Sequence, residues 1–229
     1  ALTDGLKQSR RFPAVTDGLK QSRRFPADKW ERMRGVFYPP HFFWEDYMDI
    51  NLYHINNDYL NYLRAFDDRI PYNKIGGRPY VGIVLRINDT MYFAPMHSPK
   101  PKYLAMRPNL DFYKLADGKL GIINLNNMIP VPADQVTPII FAEIEDEKYR
   151  ALLIKQYSII DRNKKRIQSN ALKTYVYSQN PDSTLHRRCL DYPMMEVACE
   201  QYHAFLMKQS RKVTPVTEKR YDKENEWER

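Results

Sequence analysis

Cysteine is almost missing from this chain of 229 residues: Cys189 and Cys199, ten positions apart, are the only two. That is neither a disulfide framework nor a metal-ligand spacing. It reads as two reduced thiols packed in a helical region, which fits a reducing cytoplasm. No apolar run approaches the ~20 residues a helix needs to cross a bilayer. No basic-then-apolar leader opens the chain. The five histidines, His41, His54, His97, His186 and His203, fall in no HExxH or Cys-pair context, so no metal and no cofactor is expected. A Walker A loop, a Gly-x-Gly-x-x-Gly turn and the Gly-x-Ser-x-Gly elbow are all absent, which argues against nucleotide-fold enzymes and elbow hydrolases.

What is there is basic and apolar enough to fold. Apolar residues make up 43%, sufficient for a real core in one sizeable domain or two small ones. The formal net charge is +8 and the pI about 9.3. A positive surface attracts phosphates, so nucleic acid is the first partner to consider and an anionic membrane surface the second. A modest basic excess also occurs in proteins that bind neither.

A tandem repeat opens the chain. Residues 1–13 read ALTDGLKQSRRFP and 14–26 read AVTDGLKQSRRFP, differing only at Leu2 against Val15. The unit has no amphipathic period, which makes it a poor solenoid. A unit of 13 residues is 39 nucleotides, and Leu and Val codons differ by one base. The repeat is therefore expected to be translated upstream DNA. Trp44-Glu45-Asp46 can be encoded by a purine-rich ribosome-binding sequence just before Met48, which makes Met48 the expected start. The other reading is a genuine disordered basic arm. The expected domains are 1–47 as a non-native or disordered segment, 48–209 as the folded unit and 210–229 as a charged tail.

From residue 49 the pattern is regular. Asp49–Tyr53 looks extended, and Asn57 is the expected cap of a helix carrying Tyr59, Leu60, Leu63 and Phe66 at helical spacing. Strands are expected at Tyr80–Ile87, Met91–Pro95, Asp111–Leu115 and Leu120–Leu125, the last two joined through Asp117-Gly118. Another is expected at Val136–Ala142, where Pro138 points to a sheet edge. Tyr149, Leu153, Tyr157, Ile160 and Ile167 then trace one face of a long helix over 146–178, and a second helix starts near Pro193. Strands first and helices after them predict an α+β fold around a curved antiparallel sheet.

The most unusual segment is Ala94-Pro95-Met96-His97-Ser98-Pro99-Lys100-Pro101-Lys102-Tyr103. It follows a strand and offers a hydroxyl, an imidazole, two ammonium groups and an aromatic ring on a loop stiffened by prolines. RNA cleavage by its own 2′-hydroxyl needs such a set: a base, donors that hold the phosphate, and an acid for the leaving oxygen. It needs no metal, because the nucleophile is already attached to the substrate. On composition alone the segment reads more readily as a proline-rich turn with solvated lysines.

The chain also resembles a family. Tyr53-His54-Ile55, residues 58–71 (DYLNYLRAFDDRIP), Tyr80-Val81-Gly82-Ile83-Val84-Leu85 and the Ala-Pro-x-x-Ser-Pro-Lys segment at 94–100 occur in order. They are followed by Leu120–Leu125, Met128-Ile129-Pro130 and Tyr149-Arg150…Lys155-Gln156. The ordered set is similar to the ToxN/AbiQ endoribonuclease toxins of type III toxin–antitoxin systems, over about 48–180. The resemblance implies a single domain with a MazF/Kid-like curved sheet. It also implies a metal-independent endoribonuclease leaving 2′,3′-cyclic phosphate ends, with Ser98 central to its site. His97 stands where the family often has threonine, and its role as base, acid or simple hydrogen-bonding replacement is open. Lys100 is implied to hold the phosphate and Tyr59 to be catalytic, core packing being the other reading of Tyr59. Arg78, Lys102, Tyr103, Lys164, Lys165 and Arg166 are implied to bind RNA, with Tyr103 stacking a base. The family partner is an RNA antitoxin of short tandem repeats, processed by the toxin and held with it in a closed protein–RNA ring. Cellular RNA is the implied substrate, with neither DNA nor membrane as partner, in a bacterial cytoplasm and in abortive phage infection. The alternatives are a non-catalytic basic RNA-binding protein using the helix face around 162–166, and a structural protein whose charge is incidental.

Overall fold

Tyr80–Ile87 (β2) and Thr90–His97 (β3) are the sheet's centre, and their sequences explain why. Both are almost wholly apolar, as strands covered on two faces must be. The two-residue connection Asn88-Asp89 reverses the chain, with Asn88 in the left-handed region at φ 52°. A computed structural model describes residues 50–73 and 77–213, with side chains up to residue 209. The tandem repeat, the expected start at Met48 and most of the expected charged tail lie outside the described residues.

Asn51–Ile55 (β1) pairs antiparallel with β2, and Val136–Pro138 (β7) pairs with β1. On the other side β3 pairs with Ile122–Asn124 (β5), which pairs with Phe112–Lys114 (β4). The sheet has seven strands in the order β4-β5-β3-β2-β1-β7, with Ile129–Pro130 (β6) attached to β3. Every pairing is antiparallel. The register of β2 against β3 shifts between Gly82 and Leu85, an irregularity of the kind that bends a strand. Pro138 sits on the edge strand, where a missing N–H costs no ladder bond.

Among the described residues six α-helices pack around this sheet: α1 (Asn57–Arg64), α2 (Pro101–Ala105), α3 (Glu147–Arg162), α4 (Lys164–Ser178), α5 (Thr184–Arg188) and α6 (Tyr192–Val213). The fold is α+β, strands first and helices after. Three expectations are corrected. The cap of α1 is Asn56, whose side chain accepts from Asp58 N at 2.8 Å, so the helix begins at Asn57 rather than after it. The single long helix is two. At Asn163 the backbone leaves the helical region (φ −114°, ψ 13°), which separates α3 from α4, and the side chain joins the backbone N–H in donating to Ile159 O, at 2.8 Å. Residues 115–121 are no tight hairpin turn. Ala116, Asp117 and Gly118 all take positive φ, and a short 3-10 turn widens the connection.

The core sits between the sheet and the helices. Leu52, Leu60, Leu63, Val84, Phe93, Leu125, Ile129, Ile160, Ile167 and Met195 are all buried in one cluster. Each contributes about 1.5–3 kcal/mol by leaving water. Four tyrosine hydroxyls inside this core are matched to acceptors, while that of buried Tyr80 has none. Tyr62 donates to Ala198 O, Tyr192 to Leu125 O, and Tyr92 and Tyr175 both to the Glu196 carboxylate.

Candidate active site

The C-terminal end of β3 carries His97 out of the sheet and into the loop at Ser98. Two interactions fix that exit. Met96 N donates to Pro79 O at 2.9 Å, and the Arg78 Nη1 donates to Met96 O at 3.0 Å. On the other flank Gly121, at φ +98°, brings its backbone against His97. A Cβ there would lie 2.1 Å from His97 O, so no other residue fits. Downstream, Lys114 Nζ donates to Leu104 O and Met106 O, which ties the end of α2 to β4.

These constraints open a cleft of about 280 Å³ between the end of β3 and α3. Arg78, His97 and Ser98 lie on its sheet side, and Tyr149, Leu152, Leu153 and Gln156 form the helix wall. Ser98 is exposed, and Arg78 and His97 are half-buried. Among the described residues no acidic side chain lines the cleft, and Arg78 contributes a guanidinium to it. Arg78 Nη2 also lies 3.4 Å from Tyr72 O, so the planar fork is held from two sides. Its positive charge lowers the phenols of Tyr80 and Tyr103, while burial raises both by more. The cleft thus offers an oriented cation, an imidazole and a hydroxyl against an apolar wall, an arrangement suited to an anionic group.

The predicted residues divide. Arg78, His97 and Ser98 share the cleft. Lys100 and Lys102 are exposed on the loop and α2 just beyond it. Two assignments are corrected. Tyr59 is wholly buried and donates to Pro130 O at 2.6 Å, and burial pushes its hydroxyl well above the usual range. It is part of the core and not of the cleft. Tyr103 is 3% exposed, packed with Phe112 and Ile122, with Lys102 Nζ 5.5 Å above its ring. A base has no access to that ring. Lys164, Lys165 and Arg166 form the first turn of α4 and do not line the cleft. Lys164 pairs with Asp161 at 3.8 Å, and the Arg166 guanidinium lies 5.8 Å from the Tyr113 ring.

Two wall residues escaped the sequence reading of the site. Gln156 Nε2 donates to Leu120 O at 2.7 Å and docks α3 on the β4–β5 connection. The signal for it was a polar residue inside the apolar stripe Tyr149, Leu153, Gln156, Ile160. Tyr149 stands one turn before Leu153, and burial raises its phenol, which keeps it a hydrogen-bond donor.

The fold and the cleft together define a small α+β protein with an arginine-bearing cleft at the end of a central strand. Residues 51–200 match the family described as "Toxin ToxN, type III toxin-antitoxin system", and the chain belongs to that family. It is 31% identical over 158 residues to the Endoribonuclease ToxN of Bacillus thuringiensis subsp. kurstaki, covering 65% of this chain and 81% of that protein. It is 30% identical over 132 residues to the Endoribonuclease ToxN of Pectobacterium atrosepticum, covering 53% and 77%. A solved structure reported for "selective toxin inhibition by a non-coding RNA pseudoknot" superposes with a TM-score of 0.61 at 32% identity, over 68% of this chain and 99% of that one. A solved AbiQ structure shares the fold at a TM-score of 0.62 and 23% identity, over 69% of this chain and 99% of that one.

Proposed function

We propose that residues 48–209 are an endoribonuclease toxin that cuts RNA without a metal, by attack of the substrate's own 2′-hydroxyl. The observation that carries this reading is the convergence of Arg78, His97 and Ser98 on one cleft free of acidic side chains. Relatives named as endoribonucleases point the same way. In this reading the Arg78 fork holds a non-bridging phosphate oxygen as charge grows there. The Ser98 hydroxyl orients the same phosphate, and Lys100 and Lys102 draw the backbone to the cleft. His97 exchanges the proton. The 2′ oxygen bonds to phosphorus, the bond to the 5′ oxygen breaks, and that oxygen takes a proton. The products are a 2′,3′-cyclic phosphate and a 5′-hydroxyl.

The proposed partner is a repeat RNA that the toxin itself trims and that occupies its cleft, assembled with it in a closed ring. A solved toxin that resembles this chain is reported under the words "a processed non-coding RNA regulates a bacterial antiviral system". The translated repeat at 1–26 supports the pairing, since its 39-nucleotide unit has the form of a short tandem RNA array. The setting that goes with this is a bacterial cytoplasm and defence against phage.

The test is cleavage of RNA by the purified chain in EDTA. Cyclic phosphate ends are expected, and Ser98→Ala is expected to abolish them. A requirement for divalent metal, or full activity in Ser98→Ala, overturns the mechanism. Co-expression of the 39-nucleotide repeats as untranslated RNA is expected to relieve toxicity.

A further inference from the structure

A second cleft of about 280 Å³ lies on the far side of Gly77 from the first, and Gly77 lines both. Its chemistry is different. Among the described residues His54, Asn57, Asn73, Asp134, Gln135 and Thr137 line it, with no lysine or arginine. What the cleft offers is side-chain amides, a carboxylate, a hydroxyl and an imidazole, which suit a planar neutral group bearing both donors and acceptors.

Two features mark it as more than a surface dent. The first is order among the polar heads. Asn73 Nδ2 donates to Asn57 Oδ1 at 2.7 Å and to Ile55 O at 3.2 Å, and Gln135 Nε2 donates to Asp134 Oδ2 at 2.9 Å. The second is an unusual concentration of unmet hydrogen-bonding capacity. Gln135 is 8% exposed and its Oε1 has no hydrogen-bond partner, and buried Asn73 Oδ1 and His54 Nδ1 have none either. A buried polar atom left unpaired costs roughly 1–3 kcal/mol, so three at one cleft call for a function. Gly77 stands between the clefts at φ +80°, where a Cβ would lie 2.6 Å from His54 Nδ1. The backbone there passes flat against the imidazole, and a side chain would fill the divide.

We propose that this cleft reads the base of a nucleotide adjoining the cleaved bond, and that it selects a base carrying an exocyclic amine over uracil. The proposal rests on the RNA-cleaving reading of the neighbouring cleft. Asparagine amides pair with base edges that present a donor beside an acceptor, and a carboxylate accepts from an exocyclic amine. Single-stranded RNA, with its bases unstacked, presents those edges to a protein. Uracil has no amine to donate to Asp134. Gly77 lines both clefts, so on this proposal they divide the work: one holds the backbone, the other identifies the base.

Two measurements on the full chain test this. In the first, oligoribonucleotides varied at single positions around the cleavage site are cut by the wild type and by Asp134→Asn. The wild type is expected to prefer adenosine, cytidine or guanosine over uridine at one flanking position by about tenfold or more, as one good base contact allows. Asp134→Asn is expected to erase most of that preference. Thr137→Val provides an independent second variant, also at an exposed position. In the second measurement, adenosine and uridine are titrated while the His54 imidazole resonances are followed by NMR. Adenosine is expected to shift them and uridine not, and Asp134→Asn to weaken the adenosine response. If RNA is cut but Asp134→Asn keeps the wild-type preference and no nucleoside moves His54, the inference is overturned and the cleavage reading stands. If no RNA is cut, that reading falls, and the phosphate-free nucleoside titration still decides whether the cleft takes a base.

Discussion

Hydroxyl groups serve two purposes in this protein, and the end of β3 contrasts with the interior beneath α6. In the interior, Tyr59, Tyr62, Tyr92, Tyr175 and Tyr192 are buried and each donates to a backbone carbonyl or to Glu196. Burial raises all five, so they stay protonated and act as fixed donors. At the end of β3, Ser98 is exposed beside a held guanidinium and an imidazole. The same functional group is structural where its bond is already made inside the fold. It is available for chemistry where the fold leaves it open beside charge.

The sharpest way to break the contrast is Gly121→Val. The substitution forces a β-branched residue to φ +98° and drives its Cβ into His97 O. Destabilisation of about 3 kcal/mol or more is expected together with loss of cleavage, measured by thermal melting and RNA assay. Next come Arg78→Ala and Ser98→Ala. Each is expected to lower the cleavage rate by about 10²- to 10³-fold, with Ser98→Ala leaving the melting temperature unchanged. Rate loss that tracks stability loss instead would make the cleft structural.

Titration separates the regions by a third route. Burial pushes the Cys189 thiol up to about 11 and the Tyr62 phenol up to about 12. Both groups hold protons more tightly folded than unfolded. Their contribution is therefore full below pH 9 and is lost as pH rises from about 9 to 12. Stability is expected to fall by on the order of 2 kcal/mol across that range for Cys189, and Cys189→Ala is expected to flatten the slope. The smallest effect is Tyr59→Phe, which strips one buried hydrogen bond. A loss of about 1 kcal/mol with an unchanged cleavage rate is expected. A large drop in rate would return Tyr59 to the site.

Much of the sheet was legible from residue patterns. The β2 run spans Tyr80–Ile87 as its β-branched sequence predicts, and Pro138 marks an edge because it cannot donate to a ladder. The break at Asn163 was not legible, because the apolar spacing from Tyr149 to Ile167 continues across it and the interruption lies in the backbone torsion of one residue. The site was half legible. Arg78, His97 and Ser98 meet, although nothing in the spacing of 78 against 97 dictates that they should. Antiparallel pairing of Tyr80 with Pro95 brings them together. Tyr59 and Tyr103 were misplaced because exposure is a property of packing, and a tyrosine at helical spacing looks the same whether its ring faces core or solvent. Gln156 was the reverse case, a polar residue on an apolar face whose partner, Leu120 O, lies on a distant loop.

That one bond from Gln156 also sets an order of events during synthesis. The sheet side of the cleft is complete once β5 has paired with β3, but its other wall arrives only with α3, more than twenty residues later in the chain. A nascent chain halted before residue 156 carries Arg78, His97 and Ser98 at the uncovered end of a central strand, without the helix wall of the cleft. On the proposed RNA-cleaving reading, the site is therefore complete only after the helix that forms its second wall has left the ribosome.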